Sequence, residues 1–267
     1  MSNRGLLALV ALSSALFTGA ALATPPIVIP LQQDGVTSPG TQEPCIDNNC
    51  LFYAGDFDSN GPNPVGLWNQ VANINGVVID GTVYVPFTVP RRYKGAKGRT
   101  DWGVTGLFGN IQNYPSPSAT QVTWSIVTGA IAGGNPSKAT VVCSGTSAFT
   151  TTATGRAGLY SGTSYQELTY LVTGITSCPT LASGTYWMTV VPQVTSPPNG
   201  FEYNYLSDVE DVSPPNLVGP GSEPVDDSLF ISQFFGQTSF TLANSANVCG
   251  PVGCDEFSVG VIGTASH

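Results

Sequence analysis

The chain has 267 residues, 41% of them hydrophobic, enough for one large buried core or two small ones. Only 9% are charged, against about 25% in average soluble proteins, and the formal net charge is −9. That acidic balance disfavours nucleic acid and anionic membrane surfaces as partners.

The first residues have the form of a signal peptide. Arg4 precedes an apolar stretch, Leu6 to Phe17, and Ala21-Leu22-Ala23 is a small-x-small cleavage site. Residues 1–23 are expected to be removed and the protein secreted, to the periplasm or the exterior. The apolar stretch is too short for a comfortable span and no longer run follows, so no membrane span is expected. Residues 24–44, rich in Pro, Gln, Thr and Gly, read as a flexible leader. Residues 45–267 carry no obvious linker and read as one domain.

From Leu51 onward, short β-prone runs alternate with turn residues. The predicted strands are 51–55, 76–88, 102–109, 120–128, 138–143, 146–153, 165–173, 184–192, 201–206, 228–240 and 256–262. Alternation is clearest in Gln121-Val122-Thr123-Trp124-Ser125-Ile126-Val127 and in Glu167-Leu168-Thr169-Tyr170-Leu171-Val172. Nothing after residue 23 holds a long 3.6-residue apolar period. About eleven strands without helices imply an all-β fold, a single β-sandwich or jelly roll.

Six cysteines behind a signal peptide read as three disulfides. Spacing favours two local clips, Cys45–Cys50 and Cys249–Cys254, and one long link, Cys143–Cys178. The loop-entropy model gives the long link roughly 4 kcal/mol and each clip roughly 2 kcal/mol. The competing reading is zinc, but such sites usually pair C-x2-4-C knuckles, often with histidine, and the only histidine is His267.

One loop has a specific chemistry. In Asp56-Phe57-Asp58-Ser59-Asn60-Gly61, oxygen-bearing side chains alternate and a glycine closes the turn. Asp56, Asp58 and Asn60 match the first three ligand positions of a calcium loop, and Gly61 its sharp turn. Position twelve is Leu67, where an EF-hand needs a bidentate Glu, and Pro62 and Pro64 prevent a helix from following. The expectation is a structural calcium site, completed by backbone carbonyls, water or distant acids such as Asp80, Asp101, Asp226 or Asp227. The bland alternative is a polar turn bonded to its own backbone.

Other clusters are less specific. Glu202, Asp208, Glu210, Asp211, Glu223, Asp226 and Asp227 place seven of the seventeen acids in 26 residues. Two of them could act on a glycoside as acid and nucleophile or base; a solvated loop is the simpler reading. Arg91, Arg92, Lys94, Lys97 and Arg99 surround Tyr93 and could grip an acidic polysaccharide, or simply solvate a loop and guard a strand edge. Phe201, Tyr203 and Tyr205 alternate along a strand, and Trp68 and Trp102 are further aromatic platforms if exposed. Aromatic faces suit the C–H faces of sugar rings, although aromatic stripes are commonly core. A single terminal histidine excludes ordinary Ser-His-Asp and Cys-His chemistry. No G-x-S-x-G elbow or phosphate-binding glycine loop is present.

Short landmarks stand along the chain: Ala54-Gly55-Asp56-Phe57-Asp58 with Gly66-Leu67, Val85-Pro86-Phe87-Thr88-Val89-Pro90 and Val104-Thr105-Gly106-Leu107-Phe108. Gly184-Thr185-Tyr186-Trp187, Phe234-Phe235-Gly236 and Phe257-Ser258-Val259-Gly260-Val261-Ile262-Gly263 follow. In this order they resemble a family of secreted bacterial proteins of unassigned activity. The resemblance spans roughly residues 51–263 and implies a secreted β-sandwich with no established reaction. Relatives often carry an acidic-Asn stretch where Trp68-Asn69-Gln70 stands here. The sequence therefore points to a calcium-stabilised, non-catalytic binding or structural role, with extracellular polysaccharide as ligand class. The alternatives are a carboxylate-based glycoside-active enzyme and a self-associating matrix or surface protein. These differ in what they require: exposed aromatic rings, two carboxyls in a cleft, or an unprotected strand edge.

Overall fold

The computed structural model describes residues 29–30, 50–55, 65–74, 77–92, 99–113, 119–129, 139–160, 163–195, 204–207, 228–234, 236–243 and 257–266. Of the described residues, 78% are strand and none helix. The chain runs through β1 (Ile29–Pro30), β2 (Cys50–Tyr53), β3 (Val65–Trp68) and β4 (Gln70–Ile74). The long strands are β5 (Val77–Val89), β6 (Asp101–Asn113), β7 (Ala119–Thr128), β8 (Thr140–Ser147), β9 (Thr150–Tyr160), β10 (Thr163–Thr173) and β11 (Gly184–Thr195). Then come β12 (Asn204–Ser207), β13 (Leu229–Ser232), β14 (Gln237–Leu242) and β15 (Val259–Ser266).

They form the expected sandwich of two sheets. The eight-stranded sheet follows the path β1-β3-β12-β6-β10-β9, with β15 and β2 attached beside β6; the seven-stranded sheet runs β14-β13-β5-β4-β11-β7-β8. The long strand β6 organises the first sheet. One of its edges carries β10; the other is shared end to end by β15 and β12. The core between the sheets holds Phe52, Trp102, Leu107, Ile111 and Val172 from one side, and Val83, Phe87, Ile126, Met188 and Val190 from the other. Cys143 on β8 and Cys178 after β10 form the predicted long disulfide, Cα atoms 5.1 Å apart. It ties the edge of one sheet to the segment that follows a strand of the other.

Strand boundaries depart from the sequence reading in several places, among them the turn predicted at 144–145, which lies at Ala148 and Phe149 between β8 and β9. Ile29–Pro30, inside the predicted leader, pairs with Gly66 and Val65. Two short strands, β3 and β4, lie where none was expected. The predicted run 228–240 is a hairpin, with its turn closed by Gly236 N–H donating to the Gln233 carbonyl at 3.0 Å. And β6 continues to Asn113, because both of its faces are covered from Gly106 onward.

Asn69 explains why β3 and β4 exist. β3 belongs to the eight-stranded sheet and β4 to the seven-stranded one, so the chain changes sheets at this residue. β5 and β11 pair directly from Val85 with Met188 to Val89 with Gly184. Beyond that they separate, and β4 enters between them, antiparallel to β5 and parallel to β11. The fully buried Asn69 sits at the fork. Its Nδ2 donates to the Val190 carbonyl at 2.8 Å, and its Oδ1 accepts from Val83 N–H at 3.1 Å. One amide side chain thus replaces a missing rung of the ladder. Asn69→Leu is expected to cost about 2–3 kcal/mol, since both backbone groups lose this partner. Urea denaturation measures it; a cost below about 0.5 kcal/mol would show that another group fills the fork.

Candidate functional site

The Asp56–Gly61 loop lies outside the described residues, so Asp56, Asp58 and Asn60 have no described geometry. Its entrance is described, and it is heavily anchored. Ala54 N–H donates to the Val259 carbonyl at 3.0 Å. Gly55, with φ of 129°, takes a left-handed backbone conformation that L side chains rarely adopt. Its carbonyl accepts from the Ser258 hydroxyl. Ser258 Oγ in turn accepts from Asn110 Nδ2 at 2.7 Å, and Asn110 Nδ2 also reaches Tyr53 Oη at 3.1 Å. Thr169 Oγ1 donates to Asn110 Oδ1 at 2.6 Å. Tyr53, Asn110, Thr169 and Ser258 are all buried.

This relay links β2, Ser258 just before β15, β6 and β10 on the face of the eight-stranded sheet away from the core. A second polar group is built on β9 and β10. Gln166 pairs with Ala157 and Leu168 with Ala153, so Thr154, Gly155 and Arg156 together oppose Glu167. Gly155 makes this bulge possible with a φ of 81°. Arg156 Nε donates to Glu167 Oε2, and Thr154 Oγ1 donates to the same oxygen at 2.7 Å. The two charged side chains are 2% and 0% exposed, so this is a buried ion pair. Tyr170, on the opposite face of β10, donates to Asn113 Oδ1 at 2.6 Å, and burial pushes its phenol up to about 12.

The other sequence candidates divide plainly. Trp102 is a correction: it is fully buried and stacks on Phe87 with ring centroids 5.9 Å apart, so it is core and no platform. Trp68 and Tyr205 are brought together, as register partners on neighbouring strands β3 and β12. Phe201 and Tyr203 lie outside the described residues, as do Cys45, Cys249, Cys254 and the acids from Glu202 to Asp227. Cys50 is disulfide-bonded. Asp80 holds structure: its carboxylate accepts from the backbone N–H groups of Phe234 at 2.9 Å and Gln233 at 3.2 Å, fastening the β13–β14 turn to β5. Asp101 faces Arg99 at 3.9 Å in an exposed pair of little energetic weight. Arg91 and Arg92 are exposed where the chain leaves β5 for β6 in the other sheet.

Sequence reasoning missed Arg156 and Glu167. The available signal was an isolated arginine in a charge-free, threonine-rich strand, followed by one isolated glutamate in the next strand. Among the described residues, no three His, Cys, Asp or Glu side chains gather as a metal site, and no helix is long and apolar enough to cross a membrane. No family model, curated protein or solved structure matches this chain.

Proposed function

We propose that this chain is a secreted, calcium-stabilised β-sandwich with a non-catalytic binding role outside the cell, and that its ligand class is carbohydrate. The observation that carries the reading is the register of β3 and β12, which sets Trp68 opposite Tyr205. Cross-strand partners stand about 5 Å apart. An indole and a phenol at adjacent positions can offer a sugar ring a wide apolar surface with polar tips. Phe201 and Tyr203, four and two positions before Tyr205 in the chain, are the further aromatic candidates. The calcium assignment rests on Asp56, Asp58 and Asn60, and the fixed carbonyl of Gly55 supports it. A loop that leaves an immobile point loses less conformational freedom when it closes on an ion. The glycosidase alternative gains nothing from Glu167, whose carboxylate is held by Arg156 and Thr154.

The test is polysaccharide pull-down and glycan-array binding of the mature chain in calcium. Wild type is expected to bind, with Trp68→Ala and Tyr205→Ala each weakening Kd about tenfold or more. A blank array with calcium present rejects carbohydrate. Chelator is expected to lower Tm; an unchanged Tm with no metal by elemental analysis rejects calcium.

A further inference from the structure

Both sheets end at one corner of the sandwich. β8 is the last strand of the seven-stranded sheet and β9 ends the path of the eight-stranded one. Only Ala148 and Phe149 join them. Phe149 pins the corner, stacking on Tyr170 with ring centroids 4.9 Å apart. Among the described residues, β8 pairs only with β7, and β9 only with β10. Among the described residues this outer edge, from Thr140 to Thr152, therefore has no strand partner as it turns from one sheet to the other. Ser144, Thr146, Thr150, Thr151 and Thr152 are exposed along it, and Val141 is 59% exposed.

Natural sheets usually guard such edges with charges, prolines or very short strands. From Ala139 to Gly155 there is no charged residue and no proline. By contrast, the opposite end of the eight-stranded path is β1, two residues long and ending in Pro30. β8 has one bulge, at Val142, where its register against β7 shifts. Cys143–Ser147 beyond it are regular against Ile126–Val122. Trp124 stiffens this segment from inside: its indole lies over Gly145 and donates to Ser147 Oγ at 3.0 Å.

We propose that this edge is where two copies of the chain pair, β8 against β8, antiparallel about a two-fold axis near Gly145. A strand is self-complementary under that symmetry, and the N–H and C=O groups on the side of β8 away from β7, which have no strand partner among the described residues, supply the bonds without any matching of side chains. Of the faces a second copy could approach, this one carries no charge repulsion. A chain of net charge −9 repels its copies wherever acids meet. This edge brings none together. The pairing is independent of the carbohydrate and calcium readings, and its test shares no outcome with theirs.

Sedimentation of the mature chain from low micromolar to millimolar concentration is expected to show a monomer–dimer equilibrium. The double substitution Ser144→Lys with Thr146→Lys sets like charges across the two-fold. It should raise the dimer Kd at least about tenfold while circular dichroism stays native. Hydrogen exchange on the wild type should show the amides of residues 143–147 gaining protection as concentration rises. That second measurement decides the matter if the lysine variant does not fold. A wild type that stays monomeric at millimolar concentration overturns the proposal. So does a folded lysine variant that dimerises as well as wild type, or protection independent of concentration.

Discussion

Arg156→Met is expected to lower the unfolding free energy by about 3–5 kcal/mol. The reason is what remains behind. Glu167 is fully buried, and Arg156 Nε and Thr154 Oγ1 both donate to its Oε2. Without the guanidinium, a carboxylate stays in a low-dielectric site without its countercharge, and a neutral hydroxyl does not replace it. The double variant Arg156→Met with Glu167→Leu should recover most of the loss, because both desolvation penalties vanish together. Chemical denaturation followed by tryptophan fluorescence gives the values, with a lowered midpoint at constant m. If the single and double variants were equally destabilised, packing of the arginine stem rather than pairing of the charges would hold this corner of the sheet.

The elements that were legible in sequence share one property: one face toward the core and one toward a different environment. β7 and β10 show it, with Val122, Trp124 and Ile126 on one face and Leu168, Tyr170 and Val172 on one face. Period-two alternation follows directly from that geometry. β3 and β4 were illegible because they are four and five residues long and change sheets at a buried asparagine. Asn69 reads as a loop residue until β5 and β11 are seen to fork around it. The β13–β14 hairpin was hidden because its turn carries Gln233 and Phe234, not an Asn-Gly or Asp-Gly pair.

The polar relay was illegible for a different reason. Asn110, Gln112 and Glu167 alternate with core residues such as Ile111 and Leu168, and the face they occupy in a sandwich is ordinarily solvated. In this chain it is buried at β6 and β10. Five of the landmark segments contribute core residues: Ala54 in the first, Val85 and Phe87 in the second, Leu107 in the third, Trp187 in the fourth, and Phe257, Val259 and Val261 in the last. Gly260 is there for close approach, since a Cβ would meet the Phe108 ring at 2.2 Å. In this chain those segments pack the core, so they bear on the fold and leave the ligand open. The disulfide Cys143–Cys178 was legible because pairing the close-spaced cysteines left only one partner for each.

Phe87→Ala should cost about 3–5 kcal/mol, the range for deleting a buried aromatic ring. Phe87 stands on β5, yet two of its ring partners belong to the facing sheet: Phe52 on β2 at 5.7 Å and Trp102 on β6 at 5.9 Å between centroids. A third, Tyr186 on β11, lies at 5.7 Å within its own sheet. All of Phe87 is buried, so no solvent relaxation softens the cavity. Phe87→Leu, which keeps most of the volume, should cost less than about 2 kcal/mol. The pair of variants also separates two roles for Trp102. As a core residue it should become more mobile and more exposed in Phe87→Ala, with a red-shifted emission and a lowered midpoint in urea. A platform residue would instead lose ligand affinity at unchanged stability. The stacking geometry commits Trp102 to the first outcome, and any carbohydrate contact then falls to the β3–β12 positions.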